Sequence, residues 1–266
     1  MAWLNQLDPS LVVVFTLVLA RISGLVASAP YLSGAGVPMQ VRALLALALA
    51  LVILPSQWGH QAPLPQSTIG CVLAVAGELF VGLLLGLGLQ FFFGGIQLGG
   101  LLISQTSGLT LADVFNPELN NDIPLFSHLM HLLALTVFLV LGGHRLLMAG
   151  LLSTYQSLPP GSVGGIPSAW ELLTTLVQQS FGIGLRIAAP CITALLLTTL
   201  VLGLVSRTLP QLNIMSFGFG ANALVTLAML SLSFSALLWI LQDDLDPLIR
   251  ALVDGVEAAA TPLSAR

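Results

Sequence analysis

The sequence predicts an all-α membrane protein built from about six hydrophobic helical segments. Three observations carry that reading. Hydrophobic residues make up 56% of the chain and charged residues only 7%, with a mean hydropathy of +1.00, whereas soluble chains carry about 25% charged residues. The apolar residues gather into six runs, about 11–29, 41–54, 68–103, 127–152, 169–205 and 212–241. All seven basic residues are Arg, and the net charge of -4 accumulates mostly in the last 25 residues, leaving no basic face for nucleic acid. Cys71 and Cys191 lie far apart inside apolar runs. Two such cysteines form neither a disulfide framework nor a zinc site, and they read as buried, inert thiols.

The first run follows Asp8 and is interrupted by Arg21. Ala27-Ser28-Ala29 resembles a cleavage site, but a secretory signal places its positive charge before the apolar region. The segment is therefore expected to be a retained first membrane helix. The second run, at 14 residues, is short against the roughly 20 needed to cross the hydrocarbon. The third and fifth, at 36 and 37 residues, are long, since 36 residues reach roughly 54 Å as one helix. Such segments must tilt, bend, split or leave the bilayer, and Pro190 marks a kink or break in the fifth. Gly82-x-x-x-Gly86 and Gly95-x-x-x-Gly99, with Gly94 and Gly100, favour close helix packing in the third. The fourth carries His128 and His131 on one helix face, with His144 further on, but no Asp or Glu to complete a metal site. Beyond the sixth, Asp243 to Arg266 shows a helical rhythm of Leu245, Leu248, Ile249, Leu252, Val253 and Val256 between charges. That tail is expected to be an amphipathic helix lying on a partner or a membrane surface, or fraying at its end. Topology stays open, because Arg42 and Arg207 point one way across the membrane and Arg145 and Arg250 the other.

Polar residues are sparse enough to weigh one by one. Arg21, Glu78 and Arg186 lie inside apolar segments, where each charge is costly unless paired or facing water. They mark a polar pathway or a salt bridge fixing subunit register, or they pair and snorkel for structural reasons alone. Between the third and fourth runs, Ser104–Ser127 forms a polar insert with three acidic residues, three Asn, two Pro and no basic residue. A hairpin needs only a few residues. This insert is either a working loop or a solvated connector. No H-E-x-x-H, P-loop, dinucleotide fingerprint or nucleophile elbow occurs, so neither an enzyme nor a cofactor is indicated.

Several blocks share one family's pattern. Leu19-Ala20-Arg21-Ile22-Ser23-Gly24, then Ala29-Pro30 and Val37-Pro38-x-x-Val41-Arg42, resemble the start of the FliR/SctT family of type III export-gate membrane proteins. Gly143-His144-Arg145, followed by Ser157-Leu158-Pro159, is similar to the family's glycine-histidine block. Arg207-Thr208-Leu209-Pro210-Gln211-Leu212-Asn213, running on to Gly218, resembles the connection before the family's last long segment. Order and spacing agree from about 10 to 240. Gly142 stands where asparagine is frequent, and Asn116-Pro117 where an aspartate-proline step occurs.

The resemblance implies kinked helical hairpins within a helical, cone-like export gate, in the bacterial inner membrane at the flagellar basal body. It implies a FliP-like part over 1–160, a FliQ-like hairpin over 161–242 and an acidic tail over 243–266. It further implies FliP-like and FliQ-like partner subunits, FlhB-like and FlhA-like export proteins, and unfolded flagellar proteins in transit. The insert, about Thr106 to Asp122 with Gln105 at its edge, would project into the channel and help close it. In that role Leu109, Leu111, Val114 and Phe115 would fill the lumen, Leu111 and Phe115 as the sealing side chains, while Asn116-Pro117 shapes the turn. Arg21, Pro30, Pro38, Arg42, Glu78, Gly143, His144, Arg186, Arg207, Pro210, Gln211 and Asn213 would be structural or assembly positions. Three other readings remain: the related injectisome gate, a small-solute carrier using Pro190 and Arg186, and an intramembrane hydrolase using His128, His131 and Asp113.

Overall fold

The computed structural model describes residues 9–33, 37–57, 67–108, 124–162, 169–208 and 214–260. Among them every regular element is helical: α1 Pro9–Ser28, α2 Pro30–Ser33, α3 Met39–Ile53 with a 3₁₀ turn at Leu54–Gln57, α4 Thr68–Ser107, α5 Leu125–Val140, α6 Gly143–Ser157, α7 Ala169–Thr208 and α8 Ile214–Ala260. Among the described residues, five helices are long and apolar enough to cross a membrane, or six when the bent pair α5–α6 is counted as one span. The chain is a multi-pass, all-helical membrane protein.

Two of the expected long segments are longer still. Helices α4 and α7 each have 40 residues and α8 has 47, which at 1.5 Å per residue is about 60–70 Å against about 30 Å of hydrocarbon. Pro190 does not break α7, which runs through it, as α8 runs through Pro247. Proline deletes one backbone donor, and the loss is borne more easily where neighbouring side chains hold the helix together. Here Ile187, Ala188 and Cys191, flanking the proline, are buried. The acidic tail also departs from expectation, because 243–260 is the last part of α8. Its charges remain toward solvent, but its apolar stripe is buried against the chain itself.

The chain divides into two compact units, 1–91 with 143–176 and 246–266, and 92–142 with 177–245. In the first, α1 and α4 meet backbone to backbone. A Cβ on Gly24 would strike the Leu79 carbonyl, one on Gly82 the Arg21 carbonyl, and one on Gly86 the Ser28 hydroxyl. One small-residue pair, Gly82 and Gly86, thus fits Gly24 and Ser28 one turn apart on α1. The end of α8 packs here too. A Cβ on Gly150 of α6 would come within 3.0 Å of Ile249 and 3.2 Å of Val253, and Leu252 lies against Gly88 of α4.

In the second unit the other glycine pair of α4 serves a different partner. A Cβ on Gly95 would meet the Ser180 carbonyl, and one on Gly99 would approach the Gly184 carbonyl at 3.0 Å, both on α7. Phe92, Phe93 and Phe138 fill the space beside them, with edge-on ring centroids 5.9 and 5.5 Å apart.

Between α5 and α6 the chain bends by 68° at Leu141–Gly142. Gly142 takes φ +75°, a left-handed conformation open chiefly to glycine and next to asparagine.

Candidate functional site

Two constructions stand out, one in each unit. The first is a charged brace. Arg21 and Glu78 are both 0% exposed, on helices that the glycine crossing brings together. The Arg21 Nε donates to Glu78 Oε2 at 2.6 Å. One terminal nitrogen donates to the Thr154 carbonyl and hydroxyl, both at 3.1 Å, and the other to the Leu158 carbonyl at 2.9 Å. Glu78 spends its second oxygen on the Gly161 N–H at 2.8 Å. The Tyr155 ring lies 4.3 Å from the guanidinium carbon, and its hydroxyl donates to the Val18 carbonyl at 3.2 Å. A buried charge pair is tolerable when its remaining donors and acceptors are satisfied, as they are here. A bare charge of either sign in this position is expensive.

The second construction is the frame on which the polar insert is mounted. The insert is shorter than its composition suggests. Ser104–Ser107 complete α4 and Leu125–Ser127 already belong to α5. Gln105 and Thr106 are exposed residues of the last α4 turn rather than of a loop. The Thr106 hydroxyl bonds back to the Leu102 carbonyl at 2.8 Å, a local bond that lets a polar residue finish a helix. Gly108, at φ +75°, ends it, its N–H donating to the Gln105 carbonyl at 3.4 Å. Pro124 stands at the cap position of α5. The plug candidates Leu109, Leu111, Val114, Phe115, Asn116 and Pro117 lie outside the described residues.

Both roots of the insert are fixed. A Cβ on Gly100 would meet Ser127 Cα at 2.6 Å, and the Ser127 hydroxyl donates to the Gln97 carbonyl at 2.9 Å. The Gln97 side-chain amide and His131 Nδ1 are hydrogen-bonded at 2.7 Å. The ring of His131 meets Phe93 edge-on at 5.9 Å. Ile103 and Phe126, one beside each root, share a buried cluster with Ala188, Cys191 and Leu195.

The remaining candidates are dispersed. Pro30 opens α2 and Pro38 stands at the α3 cap position, with Arg42 half-buried in the first turn of α3. Gly143 is buried at the start of α6, and His144 beside it is exposed. Arg186 is exposed and faces Asp244 at 3.8 Å. Arg207 is exposed in the last turn of α7. Pro210, Gln211 and Asn213 lie outside the described residues. His128 is exposed and does not share His131's contact with Gln97. Sequence reasoning missed Gln97, Thr154, Tyr155 and Gly161. A lone amide in an apolar helix signals the first, and the turn chemistry of Leu158-Pro159-Pro160-Gly161 signals the last.

Comparison with known proteins places these features in context. The family profile described as bacterial export proteins, family 1, matches residues 12–248. The flagellar biosynthetic protein FliR of Escherichia coli is 34% identical over 216 residues, covering 80% of this chain and 81% of its own length. The FliR of Caulobacter vibrioides is 29% identical over 86% of this chain and 92% of its own. For the FliR of Bacillus subtilis the values are 28% identity, 84% and 86%.

Proposed function

Because this chain belongs to the FliR family of bacterial export proteins, we propose that it is a subunit of the flagellar type III export gate, where it helps to form and seal the membrane channel that passes unfolded flagellar proteins. Its partners in this reading are FliP-like and FliQ-like subunits with FlhB-like and FlhA-like export proteins, at the basal body in the inner membrane. The broad apolar faces of α7, including Phe181, Leu185, Leu196, Leu200 and Leu204, are exposed in the single chain and support burial among membrane partners.

The observation that carries the sealing role is the fixed frame around residues 109–123. A closed protein-conducting pore must hold back ions yet yield to a polypeptide, so its seal has to be displaceable while its mounting is not. Leu111 and Phe115 supply apolar volume that excludes water from a constriction. Asn116 and Pro117 supply turn chemistry. Gly100, Ser127 and Gln97 hold the two ends together, so a displaced segment returns to the same place. In this reading the seal acts by the volume of its side chains.

Shortening within 109–122 tests the reading directly, since α4 and α5 are left whole. Cells carrying the complete export complex should leak more ions through it, and the complex should still copurify. An unchanged leak from an assembled complex overturns the sealing role.

A further inference from the structure

We infer that Arg21 and Glu78 act as a cap supplied from other helices for the end of α6, and not merely as an ion pair between α1 and α4. Helix α6 ends at Ser157, and the last carbonyls of a helix have no partner within it. Arg21 reaches two of the carbonyls at that end, that of Leu158 at 2.9 Å and that of Thr154 at 3.1 Å, the latter also accepting from the Leu158 N–H at 2.9 Å. Its cationic charge also faces the negative end of the helix dipole. The Thr154 hydroxyl donates to its own helix at Leu151, 2.7 Å away, which leaves it free to accept from Arg21.

Glu78 completes the same turn from its other side. Gly161 holds φ +90°, and its N–H points to Glu78 Oε1. Pro159 and Pro160 have no N–H to contribute, and the Ser162 N–H and hydroxyl both bond the Pro159 carbonyl at 3.0 and 2.7 Å. Among the described residues, the Leu158 carbonyl and the Gly161 N–H after α6 are reached by Arg21 and Glu78, both fully buried. Three of the four Arg21 bonds go to this turn and helix end, and one goes to Glu78. The guanidinium is needed for its fork of donors as much as for its charge.

The two roles separate experimentally. An ion pair alone survives Arg21→Lys, which keeps the charge, and is commonly relieved by replacing both partners with apolar residues. A cap survives neither, because the Leu158 carbonyl and the Gly161 N–H lose these partners, and the Thr154 carbonyl loses Arg21 and keeps its bond from the Leu158 N–H. The measurement is amide hydrogen exchange over 154–162 in the purified, assembled export complex, for Arg21→Lys and for the double variant Arg21→Leu with Glu78→Leu. Exchange in that stretch should rise about tenfold in Arg21→Lys, the scale of one lost buried hydrogen bond, while α1 and α4 keep their protection. The double variant, where it assembles, should show the same local rise. Parent-like exchange over 154–162 in Arg21→Lys overturns the inference, as does parent-like exchange in an assembled double variant.

Discussion

The same helix is held by different chemistry along its length. Before Phe92, α4 is fastened by glycine contact with α1 and by a directional network in which a buried Arg, a buried Glu, a Thr and the turn after α6 satisfy one another. After Phe92, it is fastened by glycine-to-backbone contact, edge-on aromatics and one neutral side-chain bond, Gln97 to His131. Charge-paired contacts tolerate little displacement, since a broken buried pair leaves two costly orphans. Apolar and small-residue contacts are individually weak and non-directional. Among the described residues, both units thus share close glycine packing, and the first adds to it a buried charge pair.

The largest effect that would break this contrast is expected at Glu78. Glu78→Ala strands the Arg21 guanidinium and the Gly161 N–H, and should destabilise the purified complex by about 3–5 kcal/mol, read as a lowered melting temperature or lost assembly. A loss near zero would mean the brace is not a fixed joint. Next comes Gly95→Ala, where the new methyl would press on the Ser180 carbonyl. It should cost about 1–3 kcal/mol even though alanine favours helix. Gly94→Ala, one residue earlier and open to 4 Å, should be neutral or slightly stabilising, and equal effects at the two sites would dissolve the close-approach argument. Smallest is Gln97→Leu, which removes one neutral bond while Ser127 keeps the backbone carbonyl. A loss of about 1 kcal/mol is expected, and a loss as large as at Glu78 would erase the distinction between the two units.

Individual residues show how far the chain could be read in advance. The tail rhythm from Leu245 to Val256 marked an amphipathic helix for a partner or a membrane surface, whereas its apolar residues are buried within the chain. It gave no sign that the helix was α8 itself, or that Gly88 and Gly150 would receive it. The two glycine pairs of α4 were visible as pairs, but not their separate partners on α1 and α7. Polar composition made the insert look longer than it is, because Gln105 and Thr106 are helical despite being polar. Pro190 does not interrupt α7, being a local preference against helix that surrounding packing outweighs.

What the sequence determined by itself was the environment and the spans: few charges, six apolar runs, and the spots where charge or glycine would be costly or useful. Transfer of a residue from water to lipid depends on its own chemistry and that of near neighbours, so it can be read along the chain. Which groups answer one another was decided only in three dimensions. Arg21 finds Glu78 57 positions away and Leu158 137 away, and Gly95 meets Ser180 through an empty Cβ position. Pairing and close approach depend on where helices cross, and crossing is set by packing of whole surfaces rather than by any short stretch of residues.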